Sequence, residues 1–342
     1  MRPKTDSPIA ELQQQFVRLR ITNMAEVDVG LFDFDFNTTF SLFVINHEKN
    51  VYLRYGARTD EGADVMLSEP SLIKALQRGI AIHQQWKGGD LDLPAPPQPL
   101  PAQSFPNVRN VVKKKQCVHC HQVGEGRALE LIALKNFDKK TMPWVYPDPA
   151  KLGLIIDPDD GVLLSKTEGS AAAAGIKPGE TITRIGDQMA HTFADVQHAL
   201  HHLPYDATSV TITTNRAARQ LALPAYWRVT DINRRSVGHR MTPFPEFWGK
   251  TMSDSEKKEL GLDPIGFATR VTKFWTNTNG KKAGMRQGDI VFSVDGKTNS
   301  PLAKNAMIYI RTHFETGDEV ELKFLRGKEK RSAKVKLRAK PW

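Results

Sequence analysis

Two spacings of apolar residues divide this chain into elements. Residues 8–16 read as a short helix, and Phe16–Ile21 reads as a strand beyond it. The run Phe40-Ser41-Leu42-Phe43-Val44-Ile45-Asn46 is a buried strand, and Val51–Gly56 follows the polar turn His47-Glu48-Lys49-Asn50. Together they predict a β-hairpin. Leu72, Ile73, Leu76, Ile80 and Ile82 lie at helical spacing, which predicts a helix over Ser71–Trp86 capped by Ser68 or Ser71. Between these elements Phe32, Phe34 and Phe36 alternate with Asp33 and Asp35. In a strand both carboxylates would share one face. The expectation is a solvated edge, with a carboxylate pair for acid/base chemistry as the alternative.

In the second half the pattern repeats. Ala174–Asp187 lines up with Ala283–Gly296, 109 residues later. Each copy runs small-Gly-apolar-x-x-Gly-acid, then alternating apolar residues, then a Gly/Asp turn. The first glycine lets a short helix end in a left-handed residue, and the second supplies a turn. The alternation that follows is a half-buried strand. Residues 88–110, with Pro94, Pro96, Pro97, Pro99 and Pro101, predict an extended spacer.

The doubled pattern resembles bacterial PDZ domains of the kind found in the HtrA family. No Gly-x-Ser-Gly-Gly nucleophile motif accompanies it, which excludes an HtrA-like protease; P-loop and dinucleotide fingerprints are also missing from the sequence. The resemblance implies capture of protein C-termini or extended peptides. It places the first carboxylate loop at Leu152, Gly153 and Leu154, with Val196 and Leu200 on the opposite wall. In the second copy it places the loop at Ile265, Gly266 and Phe267, facing a helix around Asn305–Ile310. Residues 1–90, with Phe16–Met24 and the hairpin, resemble the later part of a thioredoxin fold. The whole chain resembles a bacterial thioredoxin/PDZ family, some of whose members are selenoproteins. That resemblance implies a redox pair and an export signal upstream of residue 1.

The expected fold is therefore α+β and multidomain: a partial thioredoxin-like α/β domain, then two PDZ β-sandwich/barrel-like domains. The expected boundaries are 1–90, a Pro-rich and Cys-bearing segment at 91–148, the first PDZ domain at 149–225, a bridge at 226–260 and the second PDZ domain at 261–342.

Cys117-Val118-His119-Cys120-His121 matches Cys-x-x-Cys-His, the attachment pattern of c-type haem, in which the final His binds iron. Met142, before Pro143, would be a distal ligand. The alternatives are a dithiol whose pKa Lys113–Lys115 would lower, a metal site with His119 and His121, and inert thiols. His198, His201 and His202 are expected to line the first groove, and no metal site is assigned because no carboxylate or cysteine stands near them in sequence. No catalytic residue is assigned, and enzymatic activity is left open.

The net charge of +10 reads as a solvated basic surface, since no nucleic-acid motif accompanies it. The longest apolar runs are too short to span a bilayer. The first residues lack the apolar core of a secretory signal, so the chain as written is expected to be cytoplasmic. An upstream export signal would make it periplasmic. Two functions follow: a peptide-binding tandem PDZ protein with a redox-linked N-terminal part, or an exported haem c electron carrier that docks through its PDZ domains.

Overall fold

The computed structural model describes residues 7–232 and 235–339. The chain divides into two compact units, one of Met1–Lys135 with Trp144–Thr230 and one of Asn136–Pro143 with Asp231–Trp342. This cut differs from the expected boundaries, because residues 1–135 and the first repeat belong to one unit.

In the first unit, α1 (Pro8–Gln13) is capped by Ser7, whose hydroxyl accepts from the Ala10 amide. The expected strand at 16–21 does not form; Val17 and Leu19 are fully exposed, and no strand lies beside them among the described residues. Without a neighbour to take its backbone hydrogen bonds, β-propensity alone does not make a strand. The hairpin does form, with β1 (Leu42–Ile45) antiparallel to β2 (Val51–Tyr55). Next comes α2 (Glu69–Gly88), which starts at a Ser68/Ser71 capping box and ends at left-handed Gly89. Leu72, Ala75 and Ile82 of α2 pack on Val44, Leu53 and Tyr55.

The Pro-rich stretch is exposed over residues 94–99 but is pinned at its far end. Asp28 Oδ1 accepts from the Leu100 amide at 2.9 Å, Val29 donates to the Leu100 carbonyl at 2.9 Å, and Ala102 donates to the Val27 carbonyl at 2.9 Å. Beyond it, α3 (Pro106–Lys113) and α4 (Cys120–Ala133) share one core with Met24, Val29, Phe34 and Phe36. Gly126 permits this packing, since a Cβ there would lie 3.0 Å from that of Phe105. Residues 98–113 are thus part of a packed body, not a free spacer. Leu31–Phe36 is a series of turns; Phe34 and Phe36 are buried, and so are Asp33 and Asp35. The expected solvated carboxylate edge is therefore wrong.

The first repeat contains β3 (Leu154–Ile156), β4 (Leu164–Thr167), α5 (Gly169–Ala173), β5 (Ile182–Ile185), β6 (Gln188–Met189), α6 (Phe193–His201), β7 (Ser209–Thr214) and β8 (Ala218–Ala222). β3 pairs with β4, and β5 lies between β6 and β7 with β8 outermost. A bridge between Leu163 and Thr181 joins the β4 side to the β5 side.

The second unit contains α7 (Ser236–Arg240), β9 (Trp248–Thr251), α8 (Asp254–Glu259), β10 (Thr269–Lys273), α9 (Asn279–Lys282), β11 (Ile290–Val294), α10 (Ala306–His313), β12 (Glu319–Arg326) and β13 (Glu329–Lys336). Its five strands form one antiparallel sheet in the order β13-β12-β11-β10-β9. Strand for strand this is the order of β8, β7, β5, β4 and β3, so β9 is the counterpart of β3. The two repeats also share a buried acid in the glycine turn. Glu180 receives Arg219 at 2.8 and 3.2 Å, and Asp289 receives Arg326 at 2.8 Å on each oxygen. Such two-pronged pairs fix geometry as well as energy.

Candidate functional site

In the first repeat the predicted pocket residues come together but face inwards. Leu152, Leu154, Val196 and Leu200 are all buried in one cluster with Ala57 and Met66. Gly153 has φ +77, and a Cβ there would lie 1.7 Å from the Glu168 carbonyl oxygen. Its own amide donates to the Ala150 carbonyl. The chain's own residues 54–60 occupy α6 and the neighbouring loop. Asp195 accepts from the Arg54 amide at 3.0 Å, the Gln197 side chain donates to the Arg58 carbonyl at 2.9 Å, and Lys151 pairs with Asp60 at 3.2 Å.

The second repeat requires a correction. Ile265, Gly266 and Phe267 form a turn whose amides are all taken: Ile265 by the Asp263 carboxylate, Gly266 by the Asp263 carbonyl and Phe267 by the Thr298 carbonyl. Ile265 is 77% exposed and Phe267 is buried against Tyr309. The edge strand is instead β9, in the stretch assigned to a bridge. The spacing misled because β3 and β4 are joined by a short turn at residues 157–163, whereas residues 252–268, including α8, separate β9 from β10. Phe247-Trp248-Gly249 was the available signal: an aromatic pair before a glycine, a few residues ahead of α8.

β9 is built for pairing on its outer side. Met252 donates to the Ala268 carbonyl at 3.0 Å, so by antiparallel alternation the backbone groups of Thr251 and Gly249 point away from β10. Gly249 has no room for a side chain, since a Cβ would lie 2.5 Å from the Thr269 methyl. α10 runs beside β9: its cap Asn305 donates to Thr251 Oγ1 at 3.0 Å, and Arg311 near its end lies 5.6 Å from the Trp248 ring centre. Arg311 is only 2% exposed, and its Nε and Nη2 have no hydrogen-bond partner. Burial pushes its pKa down to about 10.

The cysteine segment opens α4. Both thiols are free; Cys117 is exposed, whereas Cys120 packs against the cluster around Phe105 and Val118. Burial pushes the Cys120 thiol pKa up, contrary to the lowering expected from Lys113–Lys115. His121 is exposed and its ring stacks on His119. Met142 belongs to the other unit, where its sulfur accepts from the Asp138 amide at 3.4 Å.

The histidines of α6 are the other correction. A carboxylate does reach them, from a place 165 residues earlier in the chain: Asp33 Oδ2 is 2.7 Å from His202 Nε2 and 3.6 Å from His198 Nε2. Asp33 Oδ1 accepts from Arg127 at 2.9 Å and from the Tyr146 hydroxyl at 3.1 Å. Burial alone would raise the Asp33 pKa, but the His198 and His202 contacts and the Arg127 charge outweigh it and hold the carboxyl far below its usual range. Burial pushes the His201 pKa down to about 3, and its ring stacks on Tyr146. Distance along the chain hid this cluster, and only the i, i+4 spacing of His198 and His202 was visible.

No family model matches this chain, and no curated protein matches it. Solved structures similar to parts of it include the HtrA-type protease AlgW with a decapeptide, at 13% identity and TM-score 0.25 over 40% of this chain and 43% of that one. Another is the HtrA3 PDZ domain bound to a phage-derived ligand, at 18% identity and TM-score 0.22 over 28% of this chain and 86% of that one. A third is an aminopeptidase N family protein from Idiomarina loihiensis, at 13% identity and TM-score 0.22 over 29% of this chain and 14% of that one. The chain thus spans less than half the length of the AlgW and aminopeptidase structures. No helix among the described residues is long and apolar enough to cross a membrane.

Proposed function

We propose that this chain binds an extended segment of a partner protein, which adds as a strand to the outer side of β9 with α10 as the facing wall. The observation that carries the reading is that β9 ends the five-stranded sheet with the backbone groups of Gly249 and Thr251 turned outwards. Arg311 supports a peptide with a free C-terminal carboxylate, because a guanidinium buried without an acid is costly until an anion joins it. The first repeat, whose pocket is filled by its own unit, serves as framework. The thioredoxin-like reading of residues 1–90 belongs to the same proposal and rests on the β1–β2 hairpin followed by α2.

A random library of displayed peptides with free C-termini tests it. Enriched peptides are expected to bind the full chain with a free carboxylate and more than tenfold more weakly as amides. Thr251→Pro removes an outward amide and is expected to abolish binding, while Thr251→Ala, which loses only the hydroxyl bond, is expected to retain it. Equal binding by the proline variant would overturn the reading.

Haem or dithiol chemistry at Cys117 and Cys120 is a second reading, supported by their free thiols at the start of α4. A pyridine haemochrome spectrum of protein made with export and haem-attachment machinery decides the haem case, and a thiol titration under mild oxidant decides the dithiol case.

A further inference from the structure

His198 and His202 stand four residues apart, one on α6 and one at its C-cap, so their rings share a face, with centres 4.4 Å apart. Asp33 meets that face from the turn region before β1. One ligand atom from each of the three residues lies within 4.8 Å of the other two. We propose that Asp33, His198 and His202 form a binding site for one divalent cation of the zinc class.

The hydrogen bonds around the three groups support this more than the distances do. Arg127 and Tyr146 hold Asp33 Oδ1, which fixes the carboxyl and leaves Oδ2 directed at the histidines. Gln188 Oε1 lies 2.9 Å from His198 Nδ1. An amide oxygen only accepts, so Nδ1 carries the proton and a neutral His198 presents the lone pair of Nε2. His198 Nε2 and the carboxylate oxygen lie 3.6 Å apart. A cation between them would be held by both atoms. The outer hydrogen bond is also the one that metal-binding histidines use to fix their tautomer.

The size of the cluster fits. Zinc–ligand distances of ~2.0–2.1 Å set donor atoms about 3.3 Å apart at the corners of a tetrahedron. The two contacts to Asp33, 2.7 and 3.6 Å, bracket that figure, and the remaining donor separation is within 4.8 Å. Two imidazoles and one carboxylate leave a fourth position, and His202, with 41% of its side chain exposed, lies on the solvent side. Borderline-soft cations suit imidazole, whereas magnesium and calcium want oxygen donors. The nearby charge of Arg127 works against affinity, and its placement on the far carboxylate oxygen limits that cost.

The rival state is a plain ion pair between Asp33 and a protonated His202. Titration of the full-length protein with Co²⁺, followed by its visible d–d absorption, separates the two. One equivalent of tetrahedral cobalt is expected, displaced by Zn²⁺, without the sulfur charge-transfer bands that Cys117 and Cys120 would give. His202→Gln, at a half-exposed position, is expected to weaken binding at least tenfold while the protein stays folded. His198→Gln and Asp33→Asn are expected to do the same, and Cys117→Ser with Cys120→Ser to change nothing. Zn²⁺ should raise the melting temperature of the parent and not of His202→Gln. An absence of cobalt binding, or cobalt binding that His202→Gln leaves intact, overturns the site.

Discussion

The two repeats have the same strand order and the same acid–arginine pair, yet their groove helices live in opposite surroundings. α6 is enclosed by its own unit: Asp195 holds Arg54, Gln197 holds the Arg58 carbonyl, and its histidines meet Asp33. α10 lies beside an open strand edge and buries an arginine whose Nε and Nη2 find no acceptor. Both helices carry buried polar atoms without a partner, Gln197 Oε1 and His201 Nδ1 on α6 and the Arg311 nitrogens on α10. What differs is that the chain itself occupies the first groove while β9 ends its sheet. Occupation of the groove, more than topology, separates the two copies.

The sharpest way to break the comparison is at the glycine just before β3. Gly153→Ala puts a Cβ into the Glu168 carbonyl at a left-handed φ, and is expected to cost about 3 kcal/mol or more, with loss of hydrogen-exchange protection in β3 and β4. Next come the shared pairs. Glu180→Ala strands Arg219 and Asp289→Ala strands Arg326, and each is expected to cost about 3 kcal/mol in chemical denaturation. Unequal costs would show that the two copies do not use the pair alike.

The Glu180 pair also predicts a pH effect. Burial alone would raise its pKa, but the bonds from Thr214 and Arg219 outweigh it and hold the value below the ordinary range. A carboxyl depressed in the folded state stabilises above its unfolded pKa, and that contribution is lost as pH falls through the folded value. The Glu180 contribution, read as the difference between the parent and Glu180→Gln, should therefore be constant from neutral pH to about 5 and be lost below roughly 4.3. It comes on top of the decline that buried His201 imposes from about pH 6.5 downward.

Arg311→Met carries the opposite sign. Removing a buried guanidinium that lacks an acid should stabilise the second unit by about 1 kcal/mol while weakening free-carboxylate peptides, measured by melting and by fluorescence anisotropy. The smallest effect belongs to Lys250→Ala, an exposed β9 side chain, expected within about 0.5 kcal/mol.

Local signals were legible where the physics is local. The Asn50 turn, the Ser68 cap and the repeated glycines announced the hairpin, α2 and both copies of the sheet. Phe16–Ile21 failed because a strand needs a neighbour that composition does not supply. The second loop was misplaced because residues 252–268 moved β9 away from the repeat's spacing, and Ile265-Gly266-Phe267 offered the same apolar-Gly-apolar pattern by coincidence. Asp33 looked like a solvated edge because nothing in its own segment reveals Arg127, Tyr146 or His202. Clusters assembled across more than a hundred residues leave no periodic trace.

The clasp on the Pro-rich stretch has a practical consequence. Asp28 grips the backbone at Leu100 while residues 94–99 lie open to solvent. A protease that nicks the chain within 94–97 should therefore leave two fragments that migrate together in native gels and separate only in denaturant, because the severed ends are not what keeps the halves together.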